Sequence, residues 1–148
     1  MSVLRILVFY LLPLSTHAAD NLIFHNAYIA AAPPAAAAMA GYMSVENPGA
    51  GVRSITAISS ADFSAVEIHR TIIAKGVARM EPVESLVIEP GATLELKPGG
   101  IHLMLLAPKH DFEAGETVLL ELKESDGTLH SLAVKVQRRS GATHQHHH

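Results

Sequence analysis

The sequence predicts an all-β fold, a sandwich or barrel built from short strands. Segments in which polar and apolar residues alternate recur along the chain, and many are rich in branched side chains. Turn signals separate these segments at roughly ten-residue spacing. The alanine-rich stretch at residues 30–38 would suit a helix by composition, but Pro33 and Pro34 block a helix interior, so we expect a loop there.

The first 19 residues are predicted to form a secretory signal peptide. Arg5 gives a basic start, residues 6–14 form an apolar run, and Ala18 and Ala19 offer cleavage points. This apolar run is too short for a membrane span, which needs about 20 residues, so no stable membrane insertion is expected after cleavage. One exported domain at residues 20–138 and a flexible His-rich tail at 139–148 should follow.

Ten strands are expected in the exported domain. They cover residues 22–29, 39–46, 52–59, 65–73, 77–80, 86–88, 92–96, 101–106, 117–123 and 129–136. The last two are expected to pair as a hairpin around the turn signal at residues 125–127.

Composition excludes several classes of function. Without Arg5, 10 basic residues stand against 14 acidic ones, a net charge of −4, which argues against nucleic-acid binding. The chain contains no cysteine, so it forms no disulfide and its fold depends on an apolar core. Any soft metal ligand in it must therefore be methionine. No Ser/His/Asp arrangement, phosphate-binding glycine loop or paired-carboxylate motif is apparent.

The strand at residues 101–106 carries the first candidate ligands. Because side chains alternate across a strand, His102 and Met104 share one face, and the other face, with Leu103, is expected to be core. Imidazole and thioether together suit copper, above all Cu(I). The same pattern is also compatible with a half-exposed histidine beside a core methionine.

A second histidine–methionine pair lies earlier in the chain. His69 falls in the fourth predicted strand, and Met80 precedes Glu81-Pro82. If this pair reaches the same end of the fold as His102 and Met104, two nitrogens and two sulfurs would form a tetrahedral Cu(I) site. The spacing does not show this convergence, because strand order is not visible in a sequence. Met80 could also be a core residue, and Met43 is an alternative sulfur donor.

The spacing of these four residues resembles that of the PCu(A)C family of periplasmic copper chaperones. His69, Met80, His102 and Met104 match its H-x10-M-x21-H-x-M motif. The flanking segments resemble the family too: EIH at 67–69, GVARMEPV at 76–83, LKPGG at 96–100, HLML at 102–105 and YMSVEN at 42–47. The resemblance covers about residues 22–136. One departure is that Arg70 to Ile73 follow His69, where many relatives have a further methionine.

This resemblance implies a cupredoxin-like β-sandwich or barrel with Greek-key-type strands. It implies a monomeric periplasmic chaperone that binds one Cu(I) through those four residues. The copper would pass to a copper-site assembly factor or to the copper subunit of cytochrome c oxidase. The main alternative is a resistance protein that sequesters copper without delivering it. No enzymatic activity is expected, although a copper enzyme is kept as a further alternative.

The remaining histidines are assigned to other roles. His25, His110 and His130 lie outside the motif and are expected at the surface. The tail contains His144, His146, His147 and His148, which could form an auxiliary Cu(II) site that feeds the Cu(I) site. The tail could equally be the remnant of a purification tag.

Overall fold

A computed structural model describes residues 21–138 of the chain. The predicted signal peptide and the His-rich tail lie outside the described residues. Within the described range, no helix is long and apolar enough to cross a membrane. The described range forms one β-structure, as the sequence predicts, with strands close to the expected positions.

Ten strands make up this structure. They are β1 (Ile23–Ala30), β2 (Ala38–Glu46), β3 (Arg53–Ser59), β4 (Phe63–Ala74), β5 (Val77–Pro82), β6 (Leu86–Ile88), β7 (Thr93–Leu96), β8 (Ile101–Pro108), β9 (Thr117–Glu124) and β10 (Leu129–Gln137). Residues 31–37 form the predicted loop.

Seven of the strands close into a barrel. Their order is β4-β8-β2-β1-β10-β9-β3, and a further pairing of β3 with β4 completes the ring. Consecutive strands β9 and β10 form the predicted antiparallel hairpin, whereas β1 and β10 pair in parallel. Closure leaves these strands without a free edge, and the non-consecutive neighbours give the Greek-key-type connections expected of a cupredoxin-like fold.

The apolar core fills the barrel because each strand turns alternate side chains inward. Strand β9 shows the pattern most clearly, with Val118, Leu120 and Leu122 fully buried between exposed neighbours. Leu103 and Leu105 of β8 are also fully buried. The face of β8 that was predicted to be core therefore does point into the barrel.

Strand β4 has two different partners on one of its edges. Its first half pairs with β3 at Val66, which closes the barrel. Its second half, from His69 to Ala74, pairs with β5 in an extension beyond that closure. Lys75 and Gly76 connect the two strands with positive φ angles of 51° and 76°. This two-residue turn of the I′ kind matches the twist of the strands on either side.

The prediction that His130 is a surface residue is wrong. Only 12% of its side chain is exposed, and its ring packs edge-on against Phe24. Its Nε2 atom hydrogen-bonds to the buried carboxylate of Glu124, which Arg53 also contacts at 2.6 Å. His130 is held inside because Glu124 needs partners for its charge, a long-range contact that sequence spacing does not reveal.

These contacts also determine how Glu124 titrates. Burial alone would raise the pKa of its carboxyl group, but hydrogen bonds and charge from Arg53 and His130 outweigh burial and hold the pKa below its ordinary 4.5. The pKa of Glu124 is thus lower in the folded protein than in the unfolded one. Its ion pairs therefore stabilise the fold fully above about pH 4.5, the ordinary value. That contribution is lost as the pH falls through the lower, folded value.

We therefore expect Glu124→Gln to lower the free energy of unfolding by roughly 3 kcal/mol at pH 7, because the buried negative charge that pairs with Arg53 and His130 is removed. The difference between variant and wild type should shrink below pH 4.5. Urea unfolding of both proteins at several pH values measures this. A deficit that stays constant from pH 7 to pH 3 would contradict the assignment.

Candidate metal centre

The four residues singled out in the sequence lie on one face of the sheet. In the pairing of β4 with β8, His69 stands directly opposite His102, and Glu67 stands opposite Met104. In the pairing of β4 with β5, Met80 stands opposite Thr71, which shares the strand face of His69. The register thus brings together side chains that are far apart in sequence.

The two histidines lie next to each other at this face. Their ring centroids are 6.3 Å apart. His102 is buried, with 5% of its surface exposed, and the ring of Tyr42 packs 6.4 Å from it on the other side. The side chain of His69 is 14% exposed. Both rings are therefore held by packing in a largely water-excluded position.

Hydrogen bonds fix which nitrogen of each ring carries the proton. The Nδ1–H of His102 donates to the carbonyl oxygen of Gly100 at 3.1 Å, because a carbonyl can only accept. The Nε2–H of His69 donates to the carboxylate of Glu67 at 2.8 Å. The lone pairs therefore remain on Nε2 of His102 and on Nδ1 of His69. The latter atom is buried and has no hydrogen-bond partner.

An apolar cleft of about 260 Å³ borders this face. Met80, His102 and Met104 line it, whereas His69 flanks it through its contact with His102. The other lining residues are mostly small: Ala30, Ala31, Ala32, Pro33, Ala36, Ala38, Met39 and Ala40. Alanine side chains are too short to fill the space, which leaves the methionine side chains room beside the imidazoles.

The methionines occupy different environments. Met39 and Met43 are buried, as expected of core methionines, with 5% and 3% of their surfaces exposed. Met43 lines a different cleft, beside Tyr28 and Tyr42, so it lies away from the space shared by Met80 and Met104. Met80 is 57% exposed, which excludes the core role considered for it.

Sequence reasoning missed one residue of this centre. Glu67 lies two positions before His69 on the same strand face, so strand alternation could have pointed to it. Met39 borders the cleft but stands opposite Leu105 in the pairing of β2 with β8, so it belongs to the buried face. Within residues 21–138, no group of three or more His, Asp or Glu side chains is arranged to hold a metal ion.

Two of the histidines expected at the surface lie there. The side chain of His25 is 46% exposed and hydrogen-bonds to Glu46, and His110 is exposed beside Phe112. The carboxylates of Glu81, Glu84 and Glu89 are also exposed to solvent. The candidate centre is thus limited to the face formed by β4, β5 and β8.

Comparisons with known proteins identify one matching family and two relatives. Residues 22–136 match the family model described as "Putative lipoprotein LpqE-like". The "Putative lipoprotein Lxx21020" of Leifsonia xyli is 34% identical over 125 residues, which cover 84% of this chain and 74% of that protein. The "Uncharacterized protein RP573" of Rickettsia prowazekii is 36% identical over 80 residues, or 53% of this chain and 44% of that protein.

Solved structures with the same fold include a Cu(I) form of the protein DR1885 and a PCuAC domain. The solution structure of CuI-DR1885 from Deinococcus radiodurans has a TM-score of 0.66 and 29% identity, covering 80% of this chain and 78% of that one. The copper-bound PCuAC domain from PmoF2 has a TM-score of 0.67 and 19% identity, covering 79% and 92%. The second likeness concerns the fold alone.

The hydrogen bonds predict opposite neutral tautomers for the two histidines. At pH 8 we expect the Nε2–H form for His69 and the Nδ1–H form for His102. The ring ¹⁵N chemical shifts of the metal-free protein measure this. In Glu67→Ala, His69 should become a mixture of tautomers because its acceptor is lost, while His102 should be unchanged. Finding the same tautomer at both positions in the wild type would contradict the geometry.

Proposed function

The chain belongs to the LpqE-like family, and we propose that it is an exported, monomeric carrier that binds one Cu(I) ion through His69, Met80, His102 and Met104. The observation that carries this proposal is the shared sheet face. It presents two imidazole nitrogens with free lone pairs beside two thioethers at an apolar cleft. The family name, which refers to lipoproteins, supports export.

The donor set suits Cu(I) better than other biological metals. Thioether sulfur is a soft ligand, and imidazole is compatible with copper, whereas calcium and magnesium require oxygen donors. Two neutral imidazoles and two thioethers add no charge, which favours the monovalent ion over Cu(II). The buried, unpartnered Nδ1 of His69 supports a ligand role, because an unpaired buried nitrogen is otherwise costly.

Glu67 completes the proposed site as a positioning residue. Histidine ligands commonly donate their second ring N–H to a carboxylate, which fixes the ring and makes the ligating nitrogen more basic. The bond from His69 Nε2–H to Glu67 has this form and leaves Nδ1 for the ion. The carbonyl oxygen of Gly100 likewise accepts the Nδ1–H of His102, which orients that ring and leaves Nε2 for the ion.

The similarity to a Cu(I)-containing structure supports the choice of metal. CuI-DR1885 is described as a Cu(I) form, and its identity to this chain is 29% over most of both chains. The H-x10-M-x21-H-x-M spacing of the four residues is the motif expected of such domains. The assignment as a copper chaperone domain rests on the fold, the family and this spacing together.

Release of the ion is proposed to begin at Met80. This side chain is 57% exposed, while His102 on the opposite side of the site is buried. A thiolate of an acceptor can therefore replace the Met80 sulfur first, and the ion then leaves by stepwise ligand exchange. A closed set of four protein ligands leaves no open position for a substrate, which supports a carrier rather than a copper enzyme.

We propose that the C-terminal tail serves this site, on the basis of where β10 ends. Strand β10 ends beside Ala30 and Ala31, which line the cleft, and the Ala31 N–H donates to the Gln137 carbonyl at 2.8 Å. His144 follows Arg138 by six positions, so it can reach roughly 20 Å from that point. The tail histidines are proposed to collect Cu(II) near the cleft entrance.

Copper titration tests the ligand assignment. The protein lacking residues 139–148 should bind one Cu(I), and the double variant His102→Ala/Met104→Leu should lose at least about 100-fold in affinity because half of the donors are gone. Met43→Leu is the matched control and should bind normally, since Met43 lines another cleft. Unchanged one-to-one binding by the double variant would eliminate the proposed site. In the full chain, Cu(II) binding should depend on the tail.

Copper transfer distinguishes a carrier from a storage protein. The Cu(I)-loaded protein should pass its ion to the apo copper domain of a cytochrome c oxidase subunit, because thiolates there bind Cu(I) more tightly than thioethers do. The copper content of the two proteins after separation measures this. Retention of the ion in the presence of excess acceptor would favour sequestration, the second candidate function.

A further inference from the structure

We propose that the hairpin formed by the second half of β4 and by β5 is a docking surface for an acidic polypeptide that takes copper through thiolates. This inference rests on the proposed function, which it extends by naming the kind of partner. The term basic hairpin is used below for residues 70–81, which lie at the edge of the metal-binding face.

The charge of the basic hairpin is opposite to that of the rest of the domain. Arg70, Lys75 and Arg79 stand against Glu81 alone, which gives a net charge of +2, and all four residues are exposed. The remaining residues of 21–138 contain six basic and twelve acidic side chains, a net of −6. A positive surface on a negative protein attracts acidic partners to that one place.

The basic hairpin also carries exposed apolar side chains. Ile73, Val77 and Met80 are 78%, 57% and 57% exposed, although each is large enough to be a core residue. Ile73 lies on the same strand face as Thr71 and its cross-strand partner Met80. Val77 lies on the opposite face of the hairpin, beside its cross-strand partner Ala74. Exposed apolar side chains near charged ones are typical of a protein–protein interface, and here they include a proposed copper ligand.

The position of the hairpin makes it accessible. Strand β5 is a terminal strand of the described sheet, and each of its six residues is exposed. The tight turn at Lys75 and Gly76 keeps the two strands in fixed register, with Met80 on one face of the hairpin and Arg70 and Arg79 on the other. A partner that wraps around the exposed edge of β5 therefore contacts both. A partner seated on this surface brings its own ligands to the exposed side of the ion.

An acidic polypeptide fits this surface better than an anionic membrane does. Ligand exchange requires the acceptor's sulfur to bond the ion held by Met80, and only a partner docked beside Met80 can provide it. Thiolates are themselves negative, so the charges of Arg70 and Arg79 favour their approach as well as that of the surrounding carboxylates. Binding to anionic lipid is the competing outcome that the test must identify.

The test uses the full chain loaded with Cu(I) and two synthetic peptides. Both peptides have the same two-cysteine core, flanked by glutamates in one and by lysines in the other. At low ionic strength, the acidic peptide should remove copper about tenfold faster or more. The difference should nearly vanish in about 1 M salt, where the Debye length is ~3 Å.

Charge reversal provides the matched comparison. The variant Arg70→Glu/Lys75→Glu/Arg79→Glu should lose the preference for the acidic peptide. The control Lys109→Glu/Lys123→Glu/Lys135→Glu undergoes the same change in net charge at exposed positions away from the hairpin, and it should keep most of the preference. Copper affinity is measured first for each protein and should be the same in all three.

The results distinguish failure of the proposed function from failure of the docking proposal. If the wild type binds no Cu(I), the proposed function fails, whatever the hairpin does. If it binds Cu(I) but the two peptides take the ion equally fast, or neither takes it, the docking proposal is overturned. It is also overturned if the hairpin variant loses binding to phosphatidylserine vesicles while its peptide rates match those of the wild type.

Discussion

The register between β4 and β8 is the constraint on which the candidate site depends. It sets His69 opposite His102 and Glu67 opposite Met104, while the residues between them point into the barrel. A shift of one residue would turn one of the two histidines into the core and expose a buried leucine. The burial of Ile68, Leu103 and Leu105 therefore fixes the register. That packing also sets the positions of the histidines and of Met104 on the opposite face of the same strands.

Much of the fold could be predicted from the sequence, because alternation and turn residues are local signals. The ten strands and the faces of β8 follow from them. Strand order does not, since it is decided by contacts between distant segments. The parallel pairing of β1 with β10 and the burial of His130 against Glu124 both depend on such contacts. Convergence of the four candidate ligands came from family spacing, and the register supplies its physical basis.

The alanine-rich segment shows how a weak sequence signal can have a structural role. Its composition favours a helix, yet its prolines enforce a loop, and the loop returns the chain to β8 beside the candidate site. The Ala35 N–H donates to Asp111 at 2.7 Å, which anchors the loop against the segment that follows β8. Small side chains from this loop and from β2 then leave a cleft next to His102 and Met104. Larger apolar residues at these positions would fill the space that the thioethers use.

The placement of Met80 provides a structural basis for both the proposed binding and the proposed release. His69, His102 and Met104 belong to barrel strands whose opposite faces are packed in the core, so their positions are costly to change. Met80 belongs to an extension that contributes no buried side chain from β5, so it can move without disturbing the barrel. Three of the proposed ligands are thus held by the packed core, and the fourth, Met80, is exposed. On the proposed function, an ion held this way stays bound until a competing donor reaches the exposed side, where the proposed docking surface selects which donors approach.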